Sequence, residues 1–321
     1  NSPRRRGHTP RPNSPRRRKG VVRPVVAHSS SPLRTVTDDE LATFRRDGVV
    51  HLTSILPANW LSYLAEPVEA TIVDQTVTAD MTALRADLTG SEPIDRPRFL
   101  SGVDHWLNDP AFANFASQSP LPALAGALLS AQRIHLYEDS VLVKEPGSGE
   151  STVLHQDLGY FHLEGDRICT IWVPLDPVDA ENGAVAYLRG SHLTGLVHQP
   201  NWFVTDDPLP NATGEPLPVV REDDPRFVQF DAQPGDLIVH HAATLHRAGP
   251  NRSTSRRRRA VSVRYCGDGV RHLVRPGSPT KPHHNVGQER DATGYGAVRS
   301  GDLVVDHPGC PLVWEQNLGS T

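Results

Sequence analysis

Cysteine is scarce in this chain, and the three present, Cys169, Cys266 and Cys310, are far apart and in no C-x-x-C spacing. That argues against a disulfide framework and against a zinc knuckle, and it makes a reducing cytoplasm the expected location. Lysine is almost missing, at positions 19, 144 and 281. No stretch approaches the roughly 18 apolar residues that span a bilayer, and the N-terminal region lacks the apolar core of a signal peptide. There is no large excess of charge of either sign: the net charge is -4, so no global field points to nucleic acid or to an anionic membrane. What the chain does have is apolar content, 37% over 321 residues, enough for the core of one large or two ordinary domains.

Residues 1–34 are rich in Arg, Pro and Ser, with NSPRRR at 1–6 and again at 13–18. Such a segment cannot bury enough surface to fold, so it is expected to be a disordered leader. Folded sequence is expected from TDDELATFRRDGVVHL (37–52), where Thr37 and Glu40 make a capping box, Leu41 and Phe44 an apolar stripe, and Asp47-Gly48 a stop before a strand. Further helices are expected over 60–73 and 111–130, with loop and short structure over 89–106. From residue 133 the apolar period changes to two. Strands are expected over 133–144, 169–174, 184–188, 227–230, 236–241 and 259–265, separated by Pro-Gly, Asn-Gly and Arg-Gly turns. Many short strands at this spacing imply an all-β core, a jelly roll or barrel, with flanking helices. Residues 35–321 read as one such domain, in which the long connection 195–226 is a surface excursion or a lid.

Within that core the run VLHQDLGYF (153–161) places His155 and Asp157 two residues apart on what reads as a strand. Side chains so spaced point the same way, so the pair can hold one metal ion, with Gln156 turned to the other face. One later histidine would complete a 2-His-1-carboxylate facial triad. The segment QPGDLIVHHAATLHRAGPN (233–251) offers His246, with His240 and His241 as competitors that spacing alone does not exclude.

HQDLGYF (155–161), the strand around Trp172, ENGAVAYLRGSH (181–192), PGDLIVHHAATLHRAGPN (234–251) and RRAVSVRY (258–265) occur in the order found in the phytanoyl-CoA dioxygenase (PhyH) family, and the entry segment ending FRRDGVV (44–50) is also similar to that family's. The resemblance covers most of 37–265. It implies a double-stranded β-helix (jelly roll, cupin-like) and an Fe(II)- and 2-oxoglutarate-dependent dioxygenase that uses O2. Matched position by position, it makes His155, Asp157 and His246 the iron ligands. The retained Asp157 favours hydroxylation or another oxidation over halogenation, because related halogenases replace this carboxylate with a small residue that admits chloride. The co-substrate's distal carboxylate needs a cation, and arginine's planar fork suits it. The family places that arginine about eleven residues after the distal histidine. Counting gives Arg257, whereas strand register gives Arg258, the preferred choice because a one-residue slip reverses the face.

Gln156 and Trp172 match positions that contact the co-substrate or wall its pocket. Tyr160, Phe161 and Arg264 are candidates for lining a substrate pocket. The expected substrate is a small molecule such as an acyl derivative or a natural-product intermediate, with no nucleic acid or membrane partner; no CoA-specific signature is present. Two other readings remain: a jelly-roll binding protein without catalysis, and a nucleic-acid demethylase of the same oxygenase superfamily. The tail 267–321 packs outside the barrel or folds over its opening.

Overall fold

The computed structural model describes residues 28–91, 97–284 and 298–316; residues 1–27 of the expected leader lie outside the described residues. Residues 28–34 lie along the folded body, where the Leu33 amide donates to the Ile55 carbonyl at 2.9 Å, the Trp60 indole to the Ser29 carbonyl at 2.9 Å, and Arg34 bonds Glu40 at 2.7 and 2.9 Å.

The entry helix Asp38–Asp47 has the capping box its sequence implies: the Glu40 amide donates to Thr37 Oγ1 at 3.2 Å and the Thr37 amide to Glu40 Oε2 at 2.8 Å. Gly48 ends it at φ 75°, a conformation that costs a side chain energy. The helical zone expected over 111–130 is two helices, Pro110–Gln118 and Leu121–Leu129, because Ser119, preceding Pro120, is forced to extended backbone at φ -74°, ψ 175°. The loop expected over 89–106 contains the strand Phe99–Val103, and the described residues before it add the helix Met81–Thr89.

The large antiparallel sheet runs, in spatial order, Val49–Leu52, Leu237–His241, Ile168–Pro174, Arg258–Gly267, Arg133–Lys144, Phe99–Val103 and Thr78–Asp80, with Leu312–Glu315 pairing to the beginning of the long strand Arg133–Lys144. Strand alternation divides its residues cleanly. Cys169, Ile171, Val173, Val261, Val263 and Tyr265 join the core formed with Phe44, Trp60, Leu64, Phe112, Phe115 and Leu124 of the helices. Thr170, Trp172, His240, Arg258, Ser262 and Arg264 face the other way. They look toward a smaller antiparallel sheet of Thr152–His155, His246–Ala248, Val185–Leu188 and Phe227–Gln229. The outcome is the all-β sandwich with flanking helices expected from the sequence, and its functional side chains lie between the sheets.

In the long strand Arg133–Lys144 the alternation is interrupted where it borders the space between the sheets. A β-bulge opposite Arg264 and Tyr265 puts Tyr137 and Glu138 on the inner side together. Long-range pairing also brings Cys266 and Cys310, distant in sequence, to 3.8 Å between sulfurs as free buried thiols.

Candidate active site

The strand Thr152–His155 stops at His155, and Asp157 opens the 3-10 helix Asp157–Tyr160, so the two lie at a strand end and not within one strand as expected. Their common direction survives because Gln156 stays extended at φ -124°, ψ 146°. His246 is the cross-strand partner of His155. His155, Asp157 and His246 are buried, with one ligand atom from each lying within 4.8 Å of the others. The Nδ1 atoms of His155 and His246 are 2.8 Å and 2.9 Å from the carbonyls of Val153 and Thr244, two residues back in each case. Those bonds place the protons on Nδ1 and turn both bare Nε2 atoms toward Asp157 Oδ1, at 3.9 and 3.8 Å.

Strand alternation also separates the two competing histidines. His240 faces inward, 3.1 Å from Asp157 Oδ2, whereas His241 faces outward and bonds the Asp166 carbonyl at 2.6 Å. Neither takes the place of His246. Thr170 Oγ1 donates to the same Oδ2 at 2.5 Å, leaving Oδ1 for a metal.

Burial pushes His155 down to about 3 and His246 down to about 4. Burial alone would raise the Asp157 carboxyl, but the bond from His240 and the charge of Arg264 outweigh it and hold the group well below the carboxylate range. Two neutral imidazoles and one carboxylate is the deprotonated donor set that a divalent first-row metal requires, so the residues present fit iron(II).

The same burial sets a pH dependence. Burial lowers His105, His155, His246, His272 and His283 to about 3 or 4, and raises Asp104 to about 6 and Asp139 to about 7. Between about pH 6.5 and 4 each such histidine is neutral in the fold and charged in the unfolded chain, so unfolding takes up its proton. The two aspartates act oppositely, because the fold holds their protons in that window. His135, His162, His192, His240, His241 and His284 are lowered as well, so the histidines outnumber the two aspartates and stability falls on acidification, by about 1.4 kcal/mol per pH unit for each unbalanced proton. Thermal melts of the metal-free protein from pH 7 to 4 check the sign, and a Tm that rises on acidification contradicts it.

Behind the triad is a cavity walled by Trp172, Tyr187, Ser262 and Arg258. Of the four consecutive arginines, three point outward into ion pairs: Arg256 with Asp179 and Glu181, Arg257 with Glu69 and Glu145, Arg259 with Asp176 and Glu69. Arg257 does not line this cavity, and its N–H groups are already taken by Glu69 and Glu145. Arg258 is 1% exposed, makes no ion pair with any described residue, and its Nε has no partner. Burial pushes it down to about 10. The Tyr187 hydroxyl, also buried, has no partner among the described residues either. Unsatisfied buried donors of this kind are costly unless an anion arrives. Gln156 is engaged elsewhere: its amide donates to the Leu196 and Ala243 carbonyls at 3.3 Å and accepts from the His198 amide at 2.9 Å, so it ties two loops together and does not line this cavity.

A second cavity adjoins the metal ligands, lined by Tyr160, Phe161, Arg264, Met81, Val103, Leu142, Phe203, Glu138 and Lys281. The Tyr160 hydroxyl donates to Asn201 Oδ1 at 2.7 Å. Arg264 donates to Ser140 at 2.6 Å, pairs with Glu138 at 3.3 Å, and lies 3.9 Å from Asp157. The connection 195–226 contributes Phe203, whose ring meets His155 at 5.0 Å, so this excursion walls the site. In the described part of the tail, Lys281 lines this cavity and pairs with Glu138 and, at 2.7 Å, with Asp104, while Trp314 packs near Gly126. Sequence reasoning missed Thr170, Tyr187, Ser262, Glu138 and Lys281. Thr170 and Ser262 share the inward register of Trp172 and Arg258, a signal available in the sequence.

Among the described residues no helix is long and apolar enough to cross a membrane. The phytanoyl-CoA dioxygenase (PhyH) family model matches residues 44–260. A phytanoyl-CoA dioxygenase of Arabidopsis thaliana is 29% identical over 176 residues, 53% of this chain and 59% of that protein. A probable alpha-ketoglutarate-dependent hypophosphite dioxygenase of Stutzerimonas stutzeri is 32% identical over 143 residues, 40% of this chain and 43% of that protein. The chain thus spans about half the length of these curated relatives. Among solved structures, the non-heme alpha ketoglutarate dependent carbocyclase SnoK from nogalamycin biosynthesis superposes with TM-score 0.63 at 19% identity, covering 89% of this chain and 100% of that one. The epimerase SnoN in complex with Fe3+, alpha ketoglutarate and nogalamycin RO gives 0.60 at 22%, covering 86% and 98%. The fold is therefore shared with 2-oxoglutarate oxygenases, and a family match over two thirds of the sequence shows that the chain belongs to the phytanoyl-CoA dioxygenase (PhyH) family.

Proposed function

We propose that this protein is an Fe(II)- and 2-oxoglutarate-dependent dioxygenase that hydroxylates, or otherwise oxidises, an unactivated carbon of a small molecule such as a natural-product intermediate. One observation carries the reading: a buried His155–Asp157–His246 donor set beside a fully buried arginine that pairs with no carboxylate of the described residues. Under this reading the three ligands hold iron(II), and Arg258 and Tyr187 receive the distal carboxylate of 2-oxoglutarate. Trp172 walls the co-substrate, while Tyr160, Phe161 and Arg264 border the substrate. The bound metal, co-substrate and O2 supply the oxidising chemistry. The protein's share is to orient the substrate carbon and exclude water from the space between the sheets.

The second cavity favours an amphipathic substrate. Apolar Met81, Val103, Leu142, Phe161 and Phe203 share its lining with polar Glu138, Ser140, Arg264 and Lys281. The cations there are already paired, which disfavours the phosphates of a CoA ester or of a nucleic acid. Anaerobic titration with Fe(II) and 2-oxoglutarate tests the reading: a weak visible charge-transfer band is expected, and its absence would favour a binding protein without catalysis. A substrate panel scored for succinate and for a mass gain of one oxygen then identifies the carbon skeleton.

A further inference from the structure

The strand Leu237–His241 sends Ile238 and His240 inward, and the two meet different fates. Ile238 joins the apolar cluster between the sheets. His240, 2% exposed, packs against the rings of Tyr187 and His246, whose centroids are 5.1 and 4.5 Å away. An apolar ring of similar size would fill that slot without burying two ring nitrogens, one of which, Nδ1, has no partner among the described residues. What offsets that cost is the contact at Nε2, 3.1 Å from Asp157 Oδ2. An ionised carboxylate only accepts, so the proton of the neutral ring is on Nε2.

Thr170 supplies the second donor to Oδ2, and the other oxygen, Oδ1, is the one facing His155 and His246. A carboxylate with both oxygens free is able to chelate a cation through both. A facial triad needs one oxygen from it, so that positions stay open for co-substrate and O2.

We infer that His240 is a positioning residue of the metal site: with Thr170 it occupies Asp157 Oδ2 and makes Asp157 a one-oxygen ligand. The inference rests on the proposal that His155, Asp157 and His246 hold iron(II). Metal-ligating carboxylates depend on such outer partners, and their loss typically weakens metal binding by about 10- to 100-fold.

Anaerobic titration of the metal-free protein with Co(II), whose visible bands report coordination number and geometry, tests it without any substrate. His240→Phe keeps the ring and removes the donor, so weaker Co(II) binding by about 10- to 100-fold and altered visible bands are expected. His240→Gln, whose terminal amide reaches where Nε2 sits, restores most of both, whereas the shorter His240→Asn does not. Unchanged affinity and bands in His240→Phe overturn the inference, as does equal behaviour of the Gln and Asn variants. If His240→Phe fails to fold, the Gln and Asn pair decides. A wild-type protein that binds no Co(II) sinks the metal reading itself, whereas wild-type binding with indifferent variants sinks only the role of His240.

Discussion

Asp157→Ala yields a folded protein that no longer binds iron(II) measurably and releases no succinate from 2-oxoglutarate. Asp157 supplies the sole negative charge of the donor set, and without it two neutral imidazoles with ring centroids 4.1 Å apart remain. A loss of affinity of at least about a thousandfold is expected, equivalent to ~4 kcal/mol. Folding survives because the groups left behind keep other support. Arg264 retains Glu138 and Ser140, and His240 retains its packing on Tyr187. Circular dichroism establishes the fold, Fe(II) titration the affinity, and succinate assay the turnover. Succinate release at the wild-type rate from this variant would remove Asp157 from the ligands. His155→Ala is expected to behave in the same way, since its Nε2 has no substitute within reach: His240 Nε2 is committed to Asp157 Oδ2.

Side chains whose direction follows from local period were legible in the sequence, and those placed by distant pairing were not. His155 and Asp157 share a direction because the backbone between them is extended, a property of three consecutive residues. Register within RRAVSVRY put Arg258 on the opposite face from Arg257, and the pairing of Arg258 with Lys144 and of Ser262 with Trp172 keeps that register through the strand. The adjacent His240 and His241 were undecidable by spacing. Which one faces inward is fixed by the pairing of Leu237–His241 with Val49–Leu52 on one side and Ile168–Pro174 on the other. The direction of Gln156 follows from alternation, but its environment does not: the loops around Leu196, His198 and Ala243 converge on it from far along the chain. Glu138 faces the cavity through a bulge, which inserts a residue without leaving a period to read. Lys281 reaches it from the tail, by a contact that no local pattern announces.

Arg258→Met separates the two jobs of a buried charge. The guanidinium is enclosed beside Trp172 with its centre 5.7 Å from the ring, and no carboxylate of a described residue pairs with it. Burial already pushes it down to about 10, which measures how poorly this place suits a cation with no anion. An apolar side chain of similar length relieves that cost, so the variant is expected to melt at a higher temperature than the wild type when no co-substrate is present. With 2-oxoglutarate added the order reverses, because the wild-type protein gains a charge-assisted pair and the variant gains none. Removing one partner of such a pair costs about 2–5 kcal/mol, which corresponds to a loss of 2-oxoglutarate affinity between about thirty- and several thousandfold. Arg257→Met, which cuts surface ion pairs to Glu69 and Glu145, leaves 2-oxoglutarate affinity within about twofold, since exposed pairs of this kind contribute on the order of 1 kcal/mol or less to the fold alone. Melting curves of both variants with and without 2-oxoglutarate make the comparison. Equal stabilisation of wild type and Arg258→Met by the co-substrate would move the anchor away from Arg258, and a loss confined to Arg257→Met would restore the alternative reached by counting from His246.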